Sequence, residues 1–511
     1  MTDEQPTSRR AARASAEAAA APAGAEAAAP AAKKSGGIGA LLRKHPTAWI
    51  VSAGAVVFLL LGTGSVFAGV AWASRDTDEP VSTPSPSITT PDPRPVSTLP
   101  ATASRLRTCS IAGAAADGRL ATLYGTVIRA DTGEVLFDRN GSTPAPPASV
   151  LKVLTAAAAI SVLGPDFRIT TSVYEGSSPG TIVLVGRGDT TLSRLPVGQE
   201  SVYAGAPKLQ TLAEGVIAQY SARHPDVPIT NVVLDSSYWS SGDAWEPTWR
   251  EDQRTEGYQA PATALQVDGD RDNPRAAVSP RSTDPVGRAG NAFLDALRAA
   301  DTSGTVVDPA VATSLGTAVG TDVLAEVQSQ PLRTLLPQML LPSDNMLGEM
   351  LARITSKQSG GNGSAASLQG TITSQLTRWG VPATGIVIKD GSGLSPQNAV
   401  PTNALTILLR SVRDGVDGLD AVRDGLPVAG KSGTISSRFT GDNAVARGNV
   451  FAKSGMIRGS YTLAGIINSA DGTPLVFSFF AARDGVESGA RAALDTLTTA
   501  AFRCGDNLSN N

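Results

Sequence analysis

The chain is organised around one stretch, Pro147-Ala148-Ser149-Val150-Leu151-Lys152, which continues into Val153-Leu154-Thr155 and four alanines. The prolines end an extended approach, and good helix formers follow as far as Gly164. Ser149 is therefore predicted in the first turn of a helix, with Lys152 on the same face because residues three apart are neighbours there. A neighbouring base turns a serine hydroxyl into a nucleophile, and a lysine that has lost its charge can be that base.

A surface serine followed by a surface lysine is the alternative interpretation, because Ser-x-x-Lys is a common pattern. None of the other eight lysines of the chain has a serine three residues before it. The pattern therefore singles out Ser149 and Lys152, and the rest of the sequence decides between the two interpretations.

Composition excludes several classes of function. The 511 residues carry a net charge of −3, which gives no support for nucleic-acid binding. The histidines are His45 and His224, so a two-histidine zinc helix cannot be built in the folded part. His224 lies in Arg-His-Pro-Asp and is expected in a solvated loop rather than in a catalytic triad. No metal or organic cofactor is implied.

The two cysteines, Cys109 and Cys504, bracket the expected folded region. Because the ends of a domain often lie close together, one disulfide that closes the domain is expected in an oxidising compartment. Two unpaired thiols are the alternative.

The N-terminal part divides by composition into three segments. Residues 1–45 are rich in Ala, Pro and Gly and are expected to be a disordered cytoplasmic tail. Residues 46–75 contain an uncharged run from Trp49 to Ala73 and predict a transmembrane helix, with Arg43 and Lys44 on the cytoplasmic side. Residues 76–104 form a linker rich in Pro, Ser and Thr. A cleaved signal peptide is the alternative, since Ala71-Trp72-Ala73 resembles a cleavage site.

The remaining chain predicts an α+β fold. Strand patterns at 125–130 and 134–138 precede the Ser149 helix, and three more, at 448–452, 460–467 and 475–480, precede a final helix at about 487–503. Strands at both ends with helices between them favour one antiparallel sheet packed by helices, built from residues 105–170 and 330–505. Residues 171–329, with short strands at 181–185 and 229–234 among long loops, are expected to be an inserted mixed α/β domain.

Two further motifs support a catalytic interpretation. Ser343-Asp344-Asn345 precedes a helical run, which puts a hydroxyl and an amide at a loop–helix corner. Lys453-Ser454-Gly455 lies on a predicted strand, where the glycine lets a ligand backbone approach and the strand edge can pair with an extended peptide. A second Lys-Ser-Gly, Lys431-Ser432-Gly433, lies in a loop-like setting. We therefore favour Lys453 as the functional lysine.

Ser-x-x-Lys, Ser-Asp-Asn and Lys-Thr/Ser-Gly in this order are the signature of the β-lactamase and penicillin-binding protein superfamily. The chain further resembles the class C low-molecular-mass penicillin-binding proteins, the D-Ala-D-Ala carboxypeptidase/endopeptidase family. The stretches that carry this resemblance are 149–174, 184–189, 258–265, 343–345, 390–395, 430–434 and 452–455. The long separation of Ser149 from Ser343 agrees with that family's inserted domain.

The resemblance implies a role for each motif residue. Ser149 is the acylated nucleophile and Lys152 its base. Ser343 shuttles a proton to the leaving D-alanine, and Asn345 binds the peptide amide. Lys453 and Ser454 hold the terminal carboxylate beside Gly455, and the backbone N–H groups of Ser149 and Met456 form the oxyanion hole. Ser454 stands where the family usually has threonine, and the stretch at 390–395 is expected to be a structural turn.

The expected protein is a membrane-anchored, extracytoplasmic serine D,D-peptidase that acts on peptidoglycan stem peptides and is trapped by β-lactams at Ser149. A β-lactamase is the first alternative, although the long insertion argues against it. A non-catalytic wall-binding protein of the same fold is the second. The sequence does not separate carboxypeptidase from endopeptidase action.

Overall fold

The structure, a computed structural model, describes residues 106–320 and 322–510. The predicted tail, membrane helix and linker lie outside these residues. Of the helices that the structure describes, none combines the length and the apolar character that a bilayer-spanning segment needs.

The described residues form an α+β fold. The strands are β1 (Cys109–Ser110), β2 (Leu123–Arg129), β3 (Val135–Arg139), β4 (Thr170–Glu175), β5 (Thr181–Val185), β6 (Ile229–Asp235), β7 (Val307–Leu315), β8 (Val323–Gln328), β9 (Val450–Ile457), β10 (Ser460–Asn468), β11 (Pro474–Ala482) and β12 (Leu508–Ser509). The helices are α1 (Ala112–Ala115), α2 (Leu151–Leu163), α3 (Leu209–Arg223), α4 (Asp252–Thr255), α5 (Pro285–Ala300), α6 (Leu332–Leu340), α7 (Asn345–Gln358), α8 (Ala365–Leu376), α9 (Thr402–Asp414), α10 (Asp420–Asp424) and α11 (Ala490–Cys504).

The main sheet has the order β3-β2-β11-β10-β9, and every neighbouring pair is antiparallel. Both ends of the folded chain therefore contribute strands to one sheet, as the sequence predicts. Strand β9, which carries the Lys453 motif, lies at an edge of this sheet. An edge strand presents backbone groups with which a further strand can pair.

Helices cover both faces of the main sheet. On one face α11 packs through Leu494 and Leu497 against Phe477 and Phe479 of β11. On the other face lie α2 and the helices α6 to α10. Helix α2 is buried from Leu151 to Ile160. A helix that is apolar on all sides belongs in a core, which explains its alanine run.

A second sheet is built between the Ser149 and Ser343 motifs. Its order is β7-β6-β5-β4-β8, with parallel β5–β6 and β6–β7 pairs and antiparallel β4–β5 and β4–β8 pairs. Helices α3 and α5 pack on it around an apolar core of its own. The inserted segment thus has the mixed α/β character expected, although the sequence analysis identified neither helix.

The two termini of the described chain are joined covalently. Cys109 and Cys504 form a disulfide with a Cα–Cα distance of 5.5 Å, as predicted. Beside it, β1 and β12 pair in parallel, and Arg129 forms an ion pair of 2.7 Å with Asp506. A disulfide, a pair of strands and an ion pair therefore join the two ends of the folded region.

Candidate active site

Ser149 lies in a 3-10 turn, Ala148–Val150, that leads directly into α2. Two hydroxyls of β10 hold this turn, since Ser460 Oγ donates to the carbonyl of Pro146 at 2.8 Å and Thr462 Oγ1 to that of Pro147 at 2.8 Å. Ala148 has a φ of 46°, in the left-handed region that non-glycine residues rarely adopt. The serine is thus presented by a tight, firmly held turn, and strained backbone of this kind is concentrated at functional sites.

Lys152 is fully buried beneath this serine. Its Nζ donates to Ser149 Oγ at 3.1 Å, to Asn345 Oδ1 at 2.8 Å and to the carbonyl of Ser392 at 2.6 Å. Burial lowers the pKa of Lys152 to about 8, against the opposing effect of the nearby carboxylates, of which Asp390 has the largest. A lysine with such a pKa has a substantial neutral fraction near neutral pH, which a general base requires.

The second lysine of the motifs, Lys453, is also fully buried. Its Nζ donates to Ser343 Oγ at 2.9 Å and to the carbonyl of Ser454 at 2.6 Å. Burial and the positive charges of Lys152 and Arg438 hold the pKa of Lys453 well below its usual range. A carboxylate bound beside Lys453 would raise this pKa again, because an opposite charge nearby favours the protonated form of the amine.

The structure brings Lys453, and not Lys431, to the serine cluster. The Lys431 side chain is exposed in a loop, whereas Lys453 lies within β9. The loop still contributes to the site, because Thr434 Oγ1 lies 2.7 Å from Ser454 Oγ. Sequence reasoning did not assign Thr434 a role, although the family resemblance included its loop.

Gly455 lies in close contact with the nucleophile turn. A Cβ at this position would lie 2.7 Å from the backbone nitrogen of Ser149 and 2.3 Å from Thr462 Oγ1, so no larger residue fits. The next residue, Met456, is half exposed and pairs with Tyr461 of β10. The two N–H groups of the predicted oxyanion hole thus belong to neighbouring segments, and their role stays a prediction.

The stretch at 390–395 is a turn built around a buried carboxylate. Asp390 accepts hydrogen bonds from the backbone N–H groups of Gly393 and Ser395, both at 2.6 Å, and from Trp249 Nε1 at 2.8 Å. The turn directs the Ser392 carbonyl at Lys152 Nζ. Sequence reasoning missed this contact, because the accepting atom belongs to the backbone.

Ser149, Ser343 and Ser454 line one cleft of about 1010 Å³, and the buried Lys152 and Lys453 donate to two of these serines. Residues of the inserted segment, such as Tyr258 and Arg275, also line the cleft. His224 lies elsewhere, in contact with Glu175, and it does not line the cleft. A Ser-Lys site inside such a cleft can perform nucleophilic acyl transfer.

An antiparallel sheet packed by helices, with these three motifs around one cleft, is typical of the penicillin-binding and β-lactamase class. The family described as D-Ala-D-Ala carboxypeptidase 3 (S13) matches residues 108–278 and 270–501. Carboxypeptidase DacB of Mycolicibacterium smegmatis is 33% identical over 473 residues, which cover 90% of this chain and 99% of that protein. A D-alanyl-D-alanine carboxypeptidase of an Actinomadura species is 27% identical over 69% of this chain and 76% of that protein.

A solved structure shares the fold. Penicillin binding protein 4 (dacB) from Haemophilus influenzae matches with a TM-score of 0.60 at 22% identity, over 74% of this chain and 94% of that one. The chain belongs to the D-Ala-D-Ala carboxypeptidase 3 (S13) family of low-molecular-mass penicillin-binding proteins. It is accordingly a hydrolase, a serine-type D-Ala-D-Ala carboxypeptidase.

Proposed function

We propose that Ser149 is the residue acylated in this reaction and that Lys152 is its base. The observation that carries the proposal is the 3.1 Å contact between Lys152 Nζ and Ser149 Oγ at the floor of the cleft. The lysine is held in place by its hydrogen bonds to Asn345 Oδ1 and the Ser392 carbonyl. The proposal rests on this arrangement of groups together with the family.

In the acylation step the Ser149 hydroxyl proton passes to the neutral Nζ of Lys152 while Oγ bonds to the carbonyl carbon of the penultimate D-alanine. The peptide C–N bond then breaks, and the proton held by Lys152 passes through the Ser343 hydroxyl to the departing D-alanine nitrogen, which leaves Lys152 neutral again. Water later attacks the ester, releases the shortened peptide and restores Ser149. The proposed oxyanion donors, the N–H groups of Ser149 and Met456, stabilise the negative oxygen of both tetrahedral intermediates.

Substrate binding follows from the groups around Ser149. The carboxylate of the terminal D-alanine binds beside Lys453, whose protonated form it stabilises. Ser454 and Thr434 supply hydroxyls for the same carboxylate. The amide of Asn345 binds the peptide backbone, and the edge of β9 pairs with the extended stem peptide. A peptidoglycan stem peptide that ends in D-Ala-D-Ala carries all of these complementary groups. β-Lactams acylate the same serine.

Intact mass measurement of the purified full-length protein incubated with benzylpenicillin tests this assignment. The expected result is a persistent adduct of one penicillin, which is absent from Ser149→Ala. Rapid loss of the adduct with hydrolysis of the drug would favour a β-lactamase instead. The absence of any adduct would contradict the proposed nucleophile and favour a wall-binding protein without turnover.

We also propose that the catalytic part, residues 105–170 and 330–505 with residues 171–329 inserted, lies outside the cytoplasm and is anchored by residues 46–75. The Cys109–Cys504 disulfide supports an oxidising compartment. The uncharged run from Trp49 to Ala73, with Arg43 and Lys44 before it, supports a membrane helix whose N-terminus is cytoplasmic. A topology reporter fused after residue 80 should be active outside the cytoplasm, and a cytoplasmic signal would contradict the orientation.

A further inference from the structure

The middle residue of the Ser-Asp-Asn motif, Asp344, makes no hydrogen bond to Ser149 or Lys152, although its charge raises the pKa of Lys152. Asp344 lines the cleft and bonds there to buried side chains of the inserted segment. Its Oδ2 accepts a hydrogen bond from Arg271 Nη2 at 2.6 Å and another from the Tyr203 hydroxyl at 3.0 Å. The side chains of Arg271 and Asp344 are each only 4% exposed.

The three groups form a closed triangle. Arg271 Nη1 donates to the Tyr203 hydroxyl at 2.9 Å, and the guanidinium also stacks over the Tyr203 ring at 5.0 Å from its centroid. Burial alone would raise the pKa of Asp344, but the charges of Arg271 and Arg281 hold it at about 2. Asp344 is therefore a carboxylate at neutral pH, and both of its oxygens accept hydrogen bonds.

The other carboxylate oxygen of Asp344 bonds to the helix that begins with Asn345. Asp344 Oδ1 accepts from the backbone N–H of Leu347 at 2.9 Å and so caps the N-terminus of α7. Ser343, immediately before it, has a φ of 64°, and Asn345 begins the helix. An N-cap fixes the direction in which the chain enters a helix. The position of Asp344 thus sets where the Ser343 hydroxyl and the Asn345 amide lie.

We infer that Arg271 and Tyr203 of the inserted segment are positioning residues for the acylation reaction, which act through Asp344 on Ser343 and Asn345. The inference rests on the proposed function of Ser149. It assigns the insertion a part in catalysis, because one of its loops supports one of the three motifs. Without Arg271, the buried Asp344 carboxylate keeps Arg281 nearby but loses its main counter-charge and a 2.6 Å hydrogen bond. The Ser343 corner then loses part of the support that keeps it in the strained conformation.

The test is the acylation of full-length protein by benzylpenicillin, followed by rapid quench and intact mass over a range of drug concentrations. This separates the limiting acylation rate constant from the half-saturating concentration. Arg271→Ala should lower the limiting rate constant about 100-fold, since small displacements of reacting groups have effects of this size. Tyr203→Phe, which removes one hydroxyl and keeps the ring, should lower it about 5-fold.

A control variant and a double variant separate positioning from folding. Arg223→Ala breaks an ion pair of 3.2 Å with Glu175 in the same segment. Neither residue bonds to Asp344, Arg271 or Tyr203, so this variant should acylate at the wild-type rate. Arg271→Ala in an Asp344→Asn background should cause little further loss, because both changes break one network.

Two results would overturn the inference. One is that Tyr203→Phe and Arg271→Ala are both acylated with the wild-type limiting rate constant, counted only for protein whose serine can react. This result would count even if the thermal unfolding midpoint of these variants were lower. The other is an equal loss in Arg223→Ala. If the wild-type protein itself formed no adduct, the proposed role of Ser149 would fail first, so the two failures are distinguishable.

Discussion

Lys152 combines two properties that rarely occur together, complete burial and three hydrogen bonds to polar acceptors. Burial removes the hydration of its ammonium group, and the acceptors replace only part of that hydration. Burial lowers the pKa of Lys152, and the charges of Asp390, Asp344 and Glu349 oppose this shift, so that the pKa is about 8. The carboxylates thus set the pKa of Lys152, whereas the Ser392 carbonyl and the Asn345 amide orient its Nζ.

This pKa predicts the pH dependence of acylation. Protonated Lys152 cannot accept the serine proton, so the acylation rate constant should rise about tenfold per pH unit below pH 8 and level off above it. Stopped-flow or quenched acylation by benzylpenicillin between pH 5.5 and 9.5 measures this profile. A rate that did not change between pH 6 and 9 would contradict the assignment of Lys152 as the base.

A second prediction concerns Gly455. In Gly455→Ala the new methyl group would lie 2.7 Å from the Ser149 nitrogen, so β9 and the nucleophile turn must separate. We expect acylation by benzylpenicillin to fall by about 100-fold or more, because the oxyanion donors and Ser149 lose their alignment. Gly370→Ala is the matched control, since its Cβ meets no atom within 4 Å on the surface of α8, and it should react like wild type. Equal rates in the two variants would contradict the close approach of β9.

Two separate elements hold the Nζ of Lys152 in addition to its contact with Ser149. One is α7, whose first residue is Asn345. The other is the Asp390 turn, which is joined to the inserted segment by the Trp249 indole. The insertion therefore contacts both the Ser-Asp-Asn corner and the turn that faces Lys152. Its own sheet nevertheless packs around an apolar core that is separate from the core of the main sheet.

The Trp249 contact predicts a specific loss. Trp249→Phe keeps most of the ring and removes the N–H that donates to Asp390 Oδ2 at 2.8 Å. We expect the acylation rate to fall about 5-fold to 10-fold, since the Ser392 carbonyl loses part of its support. Trp245→Phe is the control: the two rings pack edge to face at 5.4 Å, but Trp245 Nε1 has no hydrogen-bond partner among the described residues. A loss of the same size in both variants would show that packing, rather than the hydrogen bond, supports the turn.

The sequence predicted the elements whose signals are local. The strands at both ends and the helix after Ser149 have clear patterns, and α2 ends before Gly164 as expected. Helices α3 and α5 were missed although both carry apolar residues at helical spacing, such as Leu212 and Val216 in α3 and Phe293 and Leu297 in α5. The Asp284 N-cap followed by Pro285 was a further local signal for α5 that the sequence analysis did not use. The Arg271–Asp344 pair was missed for a different reason. It joins residues 73 positions apart in sequence, and no local pattern links them.

At the scale of the whole molecule, the two chain ends are parts of a single sheet. Strand β2 pairs with β11 across more than 300 residues of intervening sequence, and β1 pairs with β12. The Ser149 turn follows β3 and is held by β10, so the position of the nucleophile depends on pairing between the first and the last strands. Each motif can be predicted from the sequence by itself. The motifs meet in one cleft because the first and last strands pair, and no local pattern predicts that pairing.

The disulfide should therefore matter for stability more than for catalysis. Cys109 and Cys504 close a loop with a sequence separation of 395, and neither lines the cleft. In the Cys109→Ser/Cys504→Ser variant the unfolded chain gains freedom, and we expect the free energy of unfolding to fall by about 2–5 kcal/mol. Urea denaturation followed by tryptophan fluorescence measures this difference.

The acylation rate in the absence of denaturant should stay at the wild-type value, since β1–β12 pairing and the Arg129–Asp506 ion pair still join the ends. An unchanged denaturation midpoint would show that these contacts alone close the sheet, and a lost acylation rate would show that closure also controls the nucleophile turn.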